Sequence, residues 1–253
     1  MVKQNPNILA KILAIETSGR NLNISLAQGE ESLLHLGEIS LNIGYQHSSL
    51  LKESSEFLLK KVGWKLSDLT HLAVSSGPGS FTGLRVGIAF MRALSSALKI
   101  PLLGIPTFEL LAKRFENLSL LPVTILIDSI GEELFIGVFN RGALKPSQNY
   151  GVIRLSKLLK KIPQQKRLYV GEGFLRYEKE IVSKMKGVKI KIPLEMHTPR
   201  SKDLAELLYQ RLQVKKIPKS NWKKVVPFYC RPPLAVERLG NIPRTDIGCE
   251  NRD

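Results

Sequence analysis

Ser75-Ser-Gly-Pro-Gly-Ser-Phe-Thr-Gly-Leu-Arg85 joins a predicted buried strand at 71–75 to a predicted helix at about 84–98. Its glycines permit backbone angles or close approaches that a Cβ atom would forbid, and Ser80 or Thr82 can cap the helix. A strand, a glycine turn and a helix N-terminus can also form a phosphate cradle, although neither P-loop nor G-x-G-x-x-G spacing is present. We favour a structural turn made of Gly77, Pro78, Gly79, Ser80, Phe81, Thr82 and Gly83.

The helix at 84–98 is apolar on nearly every face, so it has to be covered on both sides. One side can pack on its own sheet, and small residues would let a second helix approach the other. We favour a partner surface shared with the amphipathic helix at 48–62; the alternative is a helix sandwiched inside its own chain. The predicted interface comprises Leu51, Ser54, Ser55, Leu58, Arg85, Gly87, Ile88, Ala89, Arg92, Ala93 and Ser96.

Outward from this region, the order of three strands, helix, strand and helix occurs twice. The first set has strands at 11–16, 22–27 and 32–39, a helix at 48–62, the strand at 71–75 and the helix at 84–98. The second set has strands at 123–128, 134–139 and 151–154, a helix at 156–161, a strand at 168–170 and a helix at 174–185, followed by a strand at 188–192 and a helix at 201–212. The pattern predicts an α/β fold with lobes at 1–118 and 119–253 and a mobile tail after Gly240.

Composition indicates a soluble cytoplasmic protein. Of the 253 residues, 43% are hydrophobic and 24% are charged, as in ordinary globular chains. No apolar stretch is long enough to cross a membrane, and the N-terminus lacks the apolar segment of a signal peptide. Two cysteines, Cys230 and Cys249, exclude a disulfide scaffold and a cysteine-rich zinc module.

Positive charge is concentrated late in the chain. The net charge is +16; residues 1–150 hold 14 basic and 12 acidic residues, whereas residues 151–253 hold 24 and 10. Such a segment attracts polyanions through counterion release, which makes nucleic acid a candidate partner. A lysine-rich solvated surface is the other interpretation.

Three segments carry a family resemblance: Lys11-Ile-Leu-Ala-Ile-Glu-Thr-Ser18, Ser75 to Ala89, and Ile100-Pro-Leu-Leu-Gly-Ile-Pro-Thr107. They resemble the bacterial TsaB (formerly YeaZ) family, which takes part in making threonylcarbamoyladenosine in tRNA. The resemblance is strong over 11–112 and faint beyond. Val226-Pro-Phe-Tyr-Cys-Arg231 is similar to the family's Pro-x-Tyr-Leu-Arg signature, with Cys230 in place of Leu, and Ile130 stands where the family usually has the Arg of Asp-Ala-Arg.

The resemblance implies two duplicated actin/Hsp70-like (ASKHA, ribonuclease H-like) lobes, each a mixed sheet with flanking helices. It also implies a non-catalytic subunit, a pseudo-enzyme that forms a heterodimer with TsaD. In that family TsaD transfers the threonylcarbamoyl group to the adenosine beside the anticodon, and the ATPase TsaE joins the pair. The first lobe would bind TsaD through the helices at 48–62 and 84–98, tRNA would bind through the complex, and the chain alone would form a homodimer.

The resemblance also bears on nucleotide binding, because the first hairpin of actin/Hsp70-like enzymes is a phosphate loop. The acid that ends its first strand helps to organise magnesium, and here Glu16 stands where the pattern usually has Asp. The longer carboxylate would displace the ion, so we expect ATP or ADP binding to be weak or absent. The candidate nucleotide-binding residues are Glu16, Thr17, Ser18, Asp128, Gly171 and Gly173.

Metal and catalytic machinery are not expected from the sequence. TsaD-like proteins hold a metal with a His-x-x-x-His pair on the first long helix, whereas here Leu51 follows His47 at that spacing. His47 is therefore interpreted as a helix-start residue, and no residue is assigned a catalytic role.

Two other classes remain as alternatives. The first is an independent enzyme of the same fold, either a weak ATPase or a glycoprotease-like peptidase. Ser76 and Ser80 lie at a strand-to-helix turn, but the G-x-S-x-G spacing is absent and His71 belongs at the far end of the strand. The second is a general RNA-binding module, which the excess of basic residues favours.

Overall fold

The computed structural model describes residues 9–44, 47–129, 131–162, 167–185, 191–214, 217–228 and 248–249. The chain forms two compact units. The first consists of residues 1–110 and 199–227, and the second of residues 111–198 and 228–253. In the described ranges, no helix is long and apolar enough to cross a membrane.

The first unit is built on a five-stranded mixed sheet in the order β3-β2-β1-β4-β5. Its strands are β1 (Ala10–Glu16), β2 (Asn21–Gly29), β3 (Leu33–Asn42), β4 (His71–Gly77) and β5 (Leu102–Pro106). The three opening strands pair antiparallel, as predicted, whereas β1–β4 and β4–β5 pair parallel. Parallel pairing requires a crossover, which the intervening helices supply.

Helices cover both faces of this sheet. They are α1 (His47–Val62), α2 (Phe81–Leu98) and α7 (Ser201–Val214), with 3-10 helices at Leu66–Asp68 and Lys219–Lys224; α3 (Thr107–Phe115) spans the boundary between the two units in the sequence. α1 packs on β2 and β3, α2 packs on β4 and contacts α1, and α7 packs on β1 and β2. Almost every residue of β1 and β2 is buried whichever way it points, as expected for strands covered on both sides.

The division of the chain differs from the predicted boundary between 118 and 119, because the helix assigned to the second lobe belongs to the first unit. The Tyr209 hydroxyl donates to the Glu30 carbonyl at 2.7 Å, and the Asn23 side-chain amide donates to the Pro199 carbonyl at 3.4 Å. The ring of Tyr209 also occupies the space that a side chain at Gly29 would need. The physical reason is that the second face of the sheet needs an apolar cover, and α7 supplies it with Leu204, Leu207 and Leu208.

The second unit repeats the topology around another five-stranded sheet, in the order β10-β8-β7-β6-β9. Its elements are β6 (Val123–Asp128), β7 (Glu133–Phe139), β8 (Tyr150–Arg154), α4 (Leu155–Lys161), β9 (Leu168–Val170), α5 (Glu172–Arg176), α6 (Glu178–Lys184), a 3-10 helix at Leu194–His197 and β10 (Gly248–Cys249). The order β8-β7-β6-β9, with two antiparallel pairs and one parallel pair, matches β3-β2-β1-β4. The predicted duplication of a mixed α/β lobe is confirmed.

Some predicted elements differ in detail. The helix expected at 174–185 is divided at Tyr177 into α5 and α6. Most of the strand expected at 188–192 lies outside the described residues, as does most of the tail after Gly240. Within that tail, Gly248 and Cys249 pair antiparallel with Gly151 and Tyr150 and extend the second sheet.

The role of α7 can be tested through its buried face. Leu208 is 1% exposed and Gln210 lies on the exposed side of the same helix. We expect Leu208→Ala to destabilise the first unit by about 2–5 kcal/mol, because a buried leucine leaves a cavity. Gln210→Ala is the matched control and should leave stability almost unchanged. Urea unfolding followed by tryptophan fluorescence reports on this unit, since both tryptophans, Trp64 and Trp222, belong to it. Equal midpoints for the two variants would show that α7 is not part of its core.

Candidate functional site

The glycine turn after β4 is fixed by contacts with the first hairpin turn. β4 ends at Gly77, whose φ of 107° is readily adopted only by glycine. The Ser80 amide donates to the Ser18 carbonyl at 2.6 Å, and the Ser80 hydroxyl accepts from the Gly83 amide at 3.2 Å as the N-cap of α2. A Cβ atom on Gly79 would overlap the Ser18 carbonyl. These glycines and this cap are therefore explained by packing between two turns.

Gly87 extends the same contact into α2. A Cβ atom on this residue would overlap the Thr17 hydroxyl, so the helix approaches the hairpin turn more closely than any other residue would allow. Ser95 fixes the other end of the helix, because its hydroxyl donates to the Ile100 carbonyl at 2.5 Å. Both ends of α2 are thus held against the first unit.

The first three residues of the hairpin connection are buried. Glu16 and Thr17 are 0% exposed and Ser18 is 4% exposed. The Glu16 carboxylate accepts from the Ser18 amide at 2.7 Å, and the Thr17 amide donates to the Ser75 hydroxyl at 3.4 Å. A phosphate could reach these side chains only after the two turns had separated. Nucleotide binding through them stays a prediction, and their burial counts against it.

The remaining candidate nucleotide-binding residues belong to the second unit. Asp128 accepts from the Arg176 guanidinium at 2.7 Å and from the Ser129 amide at 3.0 Å. A Cβ atom on Gly171 would overlap the Leu126 carbonyl of β6, and one on Gly173 would overlap the Leu134 side chain of β7 and crowd the β6 backbone. Both glycines are therefore accounted for by helix–strand packing. The six candidates divide between the two units, with Glu16, Thr17 and Ser18 in the first.

A buried histidine fastens the end of the 191–198 segment to this second-unit turn. His197 is 1% exposed and stacks on Phe174 at a centroid distance of 5.5 Å. Its Nδ1 accepts from the Gly171 amide at 3.2 Å. Burial lowers the pKa of His197, so the ring stays neutral and its Nδ1 keeps this acceptor role. Sequence analysis assigned it no role, because nothing in the sequence pairs it with Gly171.

The predicted partner face has to be corrected, because the structure buries more than half of its residues inside the first unit. The buried members are Leu51, Ser54, Ser55, Leu58, Gly87 and Ile88. Leu51, Leu58 and Ile88 belong to the core between the helices and the sheet. Leu51 and Leu58 lie on the apolar side of an amphipathic helix, and such a side is the one that faces the core.

The exposed side of α2 keeps the other members of the set. Arg85, Ala89, Ala93 and Ser96 are exposed at spacings of three or four residues, and Arg92 is half-buried. Such spacings place residues on one helix face. The larger side chains Val86, Phe90, Leu94 and Leu98 are half-buried against the core of the unit. The uncovered surface is therefore a shallow strip of small side chains with an arginine at one end.

The predicted interface left out two exposed aromatic side chains on α1 and α2, one of which, Phe81, was assigned to the structural turn. Phe57 on α1 is 54% exposed and Phe81 on α2 is 43% exposed. Each has a cation over its ring, Lys61 at 5.5 Å and Arg85 at 5.3 Å from the centroid.

The geometry speaks against the peptidase alternative. His71 starts β4 and Ser76 lies near its end, so they are separated by about 15–20 Å at about 3.3 Å per residue. The His71 Nδ1 is instead 2.8 Å from the Thr70 hydroxyl. Among the described residues, no group of three or more His, Cys, Asp or Glu side chains could hold a metal ion. α1 begins at His47, as the sequence predicts.

His71 makes the stability of the first unit depend on pH. Burial lowers the pKa of His71 from 6.5 to about 4. Between these values the unfolded chain binds a proton that the folded chain does not, so His71 contributes stability above pH 6.5 that is lost as the pH falls toward 4. We expect His71→Asn to weaken the decline of the urea midpoint between pH 7 and 4.5, measured by tryptophan fluorescence. A decline as steep as that of the parent would contradict the assignment.

The chain matches a known protein family over most of its length. A family model described as "TsaD: tRNA N6-adenosine threonylcarbamoyltransferase" matches residues 42–236, which is more than half of the chain. The chain belongs to this family of threonylcarbamoyltransferase-related proteins.

Within it, the curated TsaB proteins match over most of their length. The protein named tRNA threonylcarbamoyladenosine biosynthesis protein TsaB is 26% identical in Buchnera aphidicola over 204 residues, which cover 78% of this chain and 92% of the relative. The protein of that name in Bacillus subtilis is 28% identical over 207 residues, with 78% and 86% covered. The resemblance to the TsaB (YeaZ) family is thereby confirmed.

A second group of relatives is longer. The tRNA N6-adenosine threonylcarbamoyltransferase of Rickettsia prowazekii is 33% identical over 138 residues, which cover 53% of this chain and 35% of that protein. Among solved structures, YeaZ from Pseudomonas aeruginosa has a TM-score of 0.69 at 22% identity and covers 87% of this chain and 100% of that one. This structural likeness concerns the fold and supports the predicted fold class.

Proposed function

We propose that the chain is a non-catalytic subunit in the synthesis of N6-threonylcarbamoyladenosine in tRNA. It binds TsaD through the exposed side of α1 and α2 and supports transfer of the threonylcarbamoyl group to the adenosine beside the anticodon. TsaE joins the heterodimer, and tRNA binds to the complex in the cytoplasm. The chain alone forms a homodimer through the same surface.

The observation that carries this proposal is the exposed strip Arg85, Ala89, Ala93 and Ser96 on a helix whose other side is fixed. Small side chains allow the backbone of a second helix to approach closely, and the exposed ring of Phe81 provides an apolar anchor at the Arg85 end of the strip. The curated relatives over most of this chain are named for threonylcarbamoyladenosine biosynthesis, which supports the choice of partner.

The non-catalytic role is supported by the first hairpin turn. Glu16, Thr17 and Ser18 are the side chains that a phosphate would meet in an enzyme of this fold, and all three are buried under the glycine turn. The close packing at Gly79 keeps these turns together. The chain therefore contributes a surface to the reaction rather than reacting groups.

Ala93→Arg tests the surface. A large charge at the centre of a strip of small side chains should weaken binding to TsaD by at least about 30-fold, or about 2 kcal/mol, because it prevents close helix packing and buries an unpaired charge. Affinity is measured by co-purification and by calorimetric titration with TsaD. In a reconstituted reaction with TsaD, TsaE and tRNA, the variant should also lose the stimulation of tRNA modification that the parent chain provides.

The matched control is Gln210→Arg, which adds the same charge to an exposed site on α7. It should leave both measurements unchanged, and both variants should keep the urea midpoint of the parent. Gly87→Arg is not suitable, because Gly87 packs on Thr17 and its replacement would disturb the fold itself. Undiminished binding of Ala93→Arg would place the interface elsewhere. A full modification rate with TsaD and TsaE alone would refute the subunit role.

A further inference from the structure

The basic residues near the end of the first unit form a patch with no acidic counterpart in the sequence. Residues 207–227, all in the first unit, include six basic residues and no acidic one. Because 199–227 belongs to the first unit, that unit holds 18 basic and 10 acidic residues, and the second unit holds 20 and 12. The positive charge is therefore not confined to a basic second lobe.

The centre of the patch is Trp222 in the 3-10 helix Lys219–Lys224. Arg92 of α2 lies over its ring at 5.6 Å from the centroid, and the Lys223 ammonium group lies at 5.7 Å. Cation–π attraction is worth about 0.5–1 kcal/mol at an exposed site, and it favours these positions of the two side chains. Two cations from distant parts of the sequence are thereby brought together around one half-buried aromatic ring.

This segment is firmly attached to the sheet. The Asn221 side-chain amide donates to the Leu102 carbonyl of β5 at 2.9 Å, and Val225 is 6% exposed and packs over Gly104. The exposed lysines Lys219, Lys223 and Lys224 are therefore displayed from a fixed backbone. A binding surface whose backbone is already ordered loses less conformational entropy when it meets a ligand.

The charges of the patch are not neutralised by the fold. Arg92, Lys219, Lys223 and Lys224 make no ion pair with any of the residues that the structure describes. Elsewhere the chain does pair its cations, as in Arg211 with Glu109, Lys113 with Glu116 and Arg176 with Asp128. Neighbouring cations that repel one another cost stability, and a polyanion that binds across them relieves this repulsion.

We propose that Arg92, Lys219, Lys223 and Lys224, arranged around Trp222, form a surface that contacts the phosphate backbone of RNA. The choice of RNA rests on the proposed function, which places a tRNA beside this chain. Phosphates a few ångströms apart along a strand match several fixed cations better than a single small anion does, and the half-exposed ring offers a face or edge to an unstacked base. The patch adjoins the strip of α2 that binds TsaD: Arg92 lies between Ala89 and Ser96 in the helix, but its guanidinium lies over Trp222, and the three lysines belong to a separate element.

The test compares two triple variants of the full chain. The patch variant is Lys219→Gln, Lys223→Gln and Lys224→Gln. The matched control is Lys160→Gln, Lys161→Gln and Lys184→Gln, which removes the same charge from exposed sites on α4 and α6 of the second unit. Binding to an unmodified tRNA transcript is measured by fluorescence anisotropy at several salt concentrations, and binding to vesicles that contain phosphatidylserine is measured in parallel.

The patch variant should bind tRNA at least about tenfold more weakly than the parent at low salt. The slope of its log affinity against log salt should be smaller by about 2–3, because each lost phosphate contact lowers the slope by about 1. The control should change both quantities much less. In a Trp64→Phe background, tRNA should alter the emission of Trp222, the remaining tryptophan.

Equal losses in the two triple variants would overturn the inference, because they would indicate attraction by net charge alone. A patch variant that loses vesicle binding but keeps tRNA binding would overturn it in favour of an anionic membrane. The patch variant should retain the urea midpoint and the TsaD affinity of the parent. Failure of this inference would therefore leave the TsaD measurements intact, whereas failure of the proposed function would appear as an unchanged TsaD affinity of Ala93→Arg.

Discussion

The close contact between the first hairpin turn and the glycine turn is the constraint on which the first unit depends. Gly79 and Gly87 bring two backbones within reach of Ser18 and Thr17, where no side chain could be accommodated. The contact orients α2 on the sheet and buries the loop that would hold a phosphate in an enzyme of this fold. This contact thus removes the side chains of Glu16, Thr17 and Ser18 from solvent and leaves the opposite side of α2 exposed.

The elements of the first lobe could be predicted well because their signals are local. Alternating apolar residues identified β2, and a serine before an apolar run identified the start of α2, which the structure places at Phe81 with Ser80 as its cap. The duplication was equally visible from the order of elements. Such features depend on neighbours within a few residues, and the sequence displays those neighbours directly.

What depends on distant neighbours could not be predicted. The apolar side of α1, with Leu51 and Leu58, was predicted to bind a partner, although such a side is also the one that turns to the core. The residues that remain on the surface are small or charged, such as Ala93 and Arg85, and no sequence pattern marks such residues as an interface. The joining of α7 to the first sheet was equally hidden, because the Tyr209 ring fits a gap at Gly29 that lies 180 residues earlier in the chain.

That long-range contact also has a consequence for how the chain is made. The second unit's segment 111–198 is inserted in the sequence between the two segments of the first. Until the ribosome has made α7, one apolar face of the first sheet stays uncovered. The inserted segment leaves the ribosome earlier than the helix that completes its neighbour. This face of the nascent first sheet is therefore exposed to aggregation while residues 107–200 are synthesised, and the unit is completed only after the inserted segment has been made.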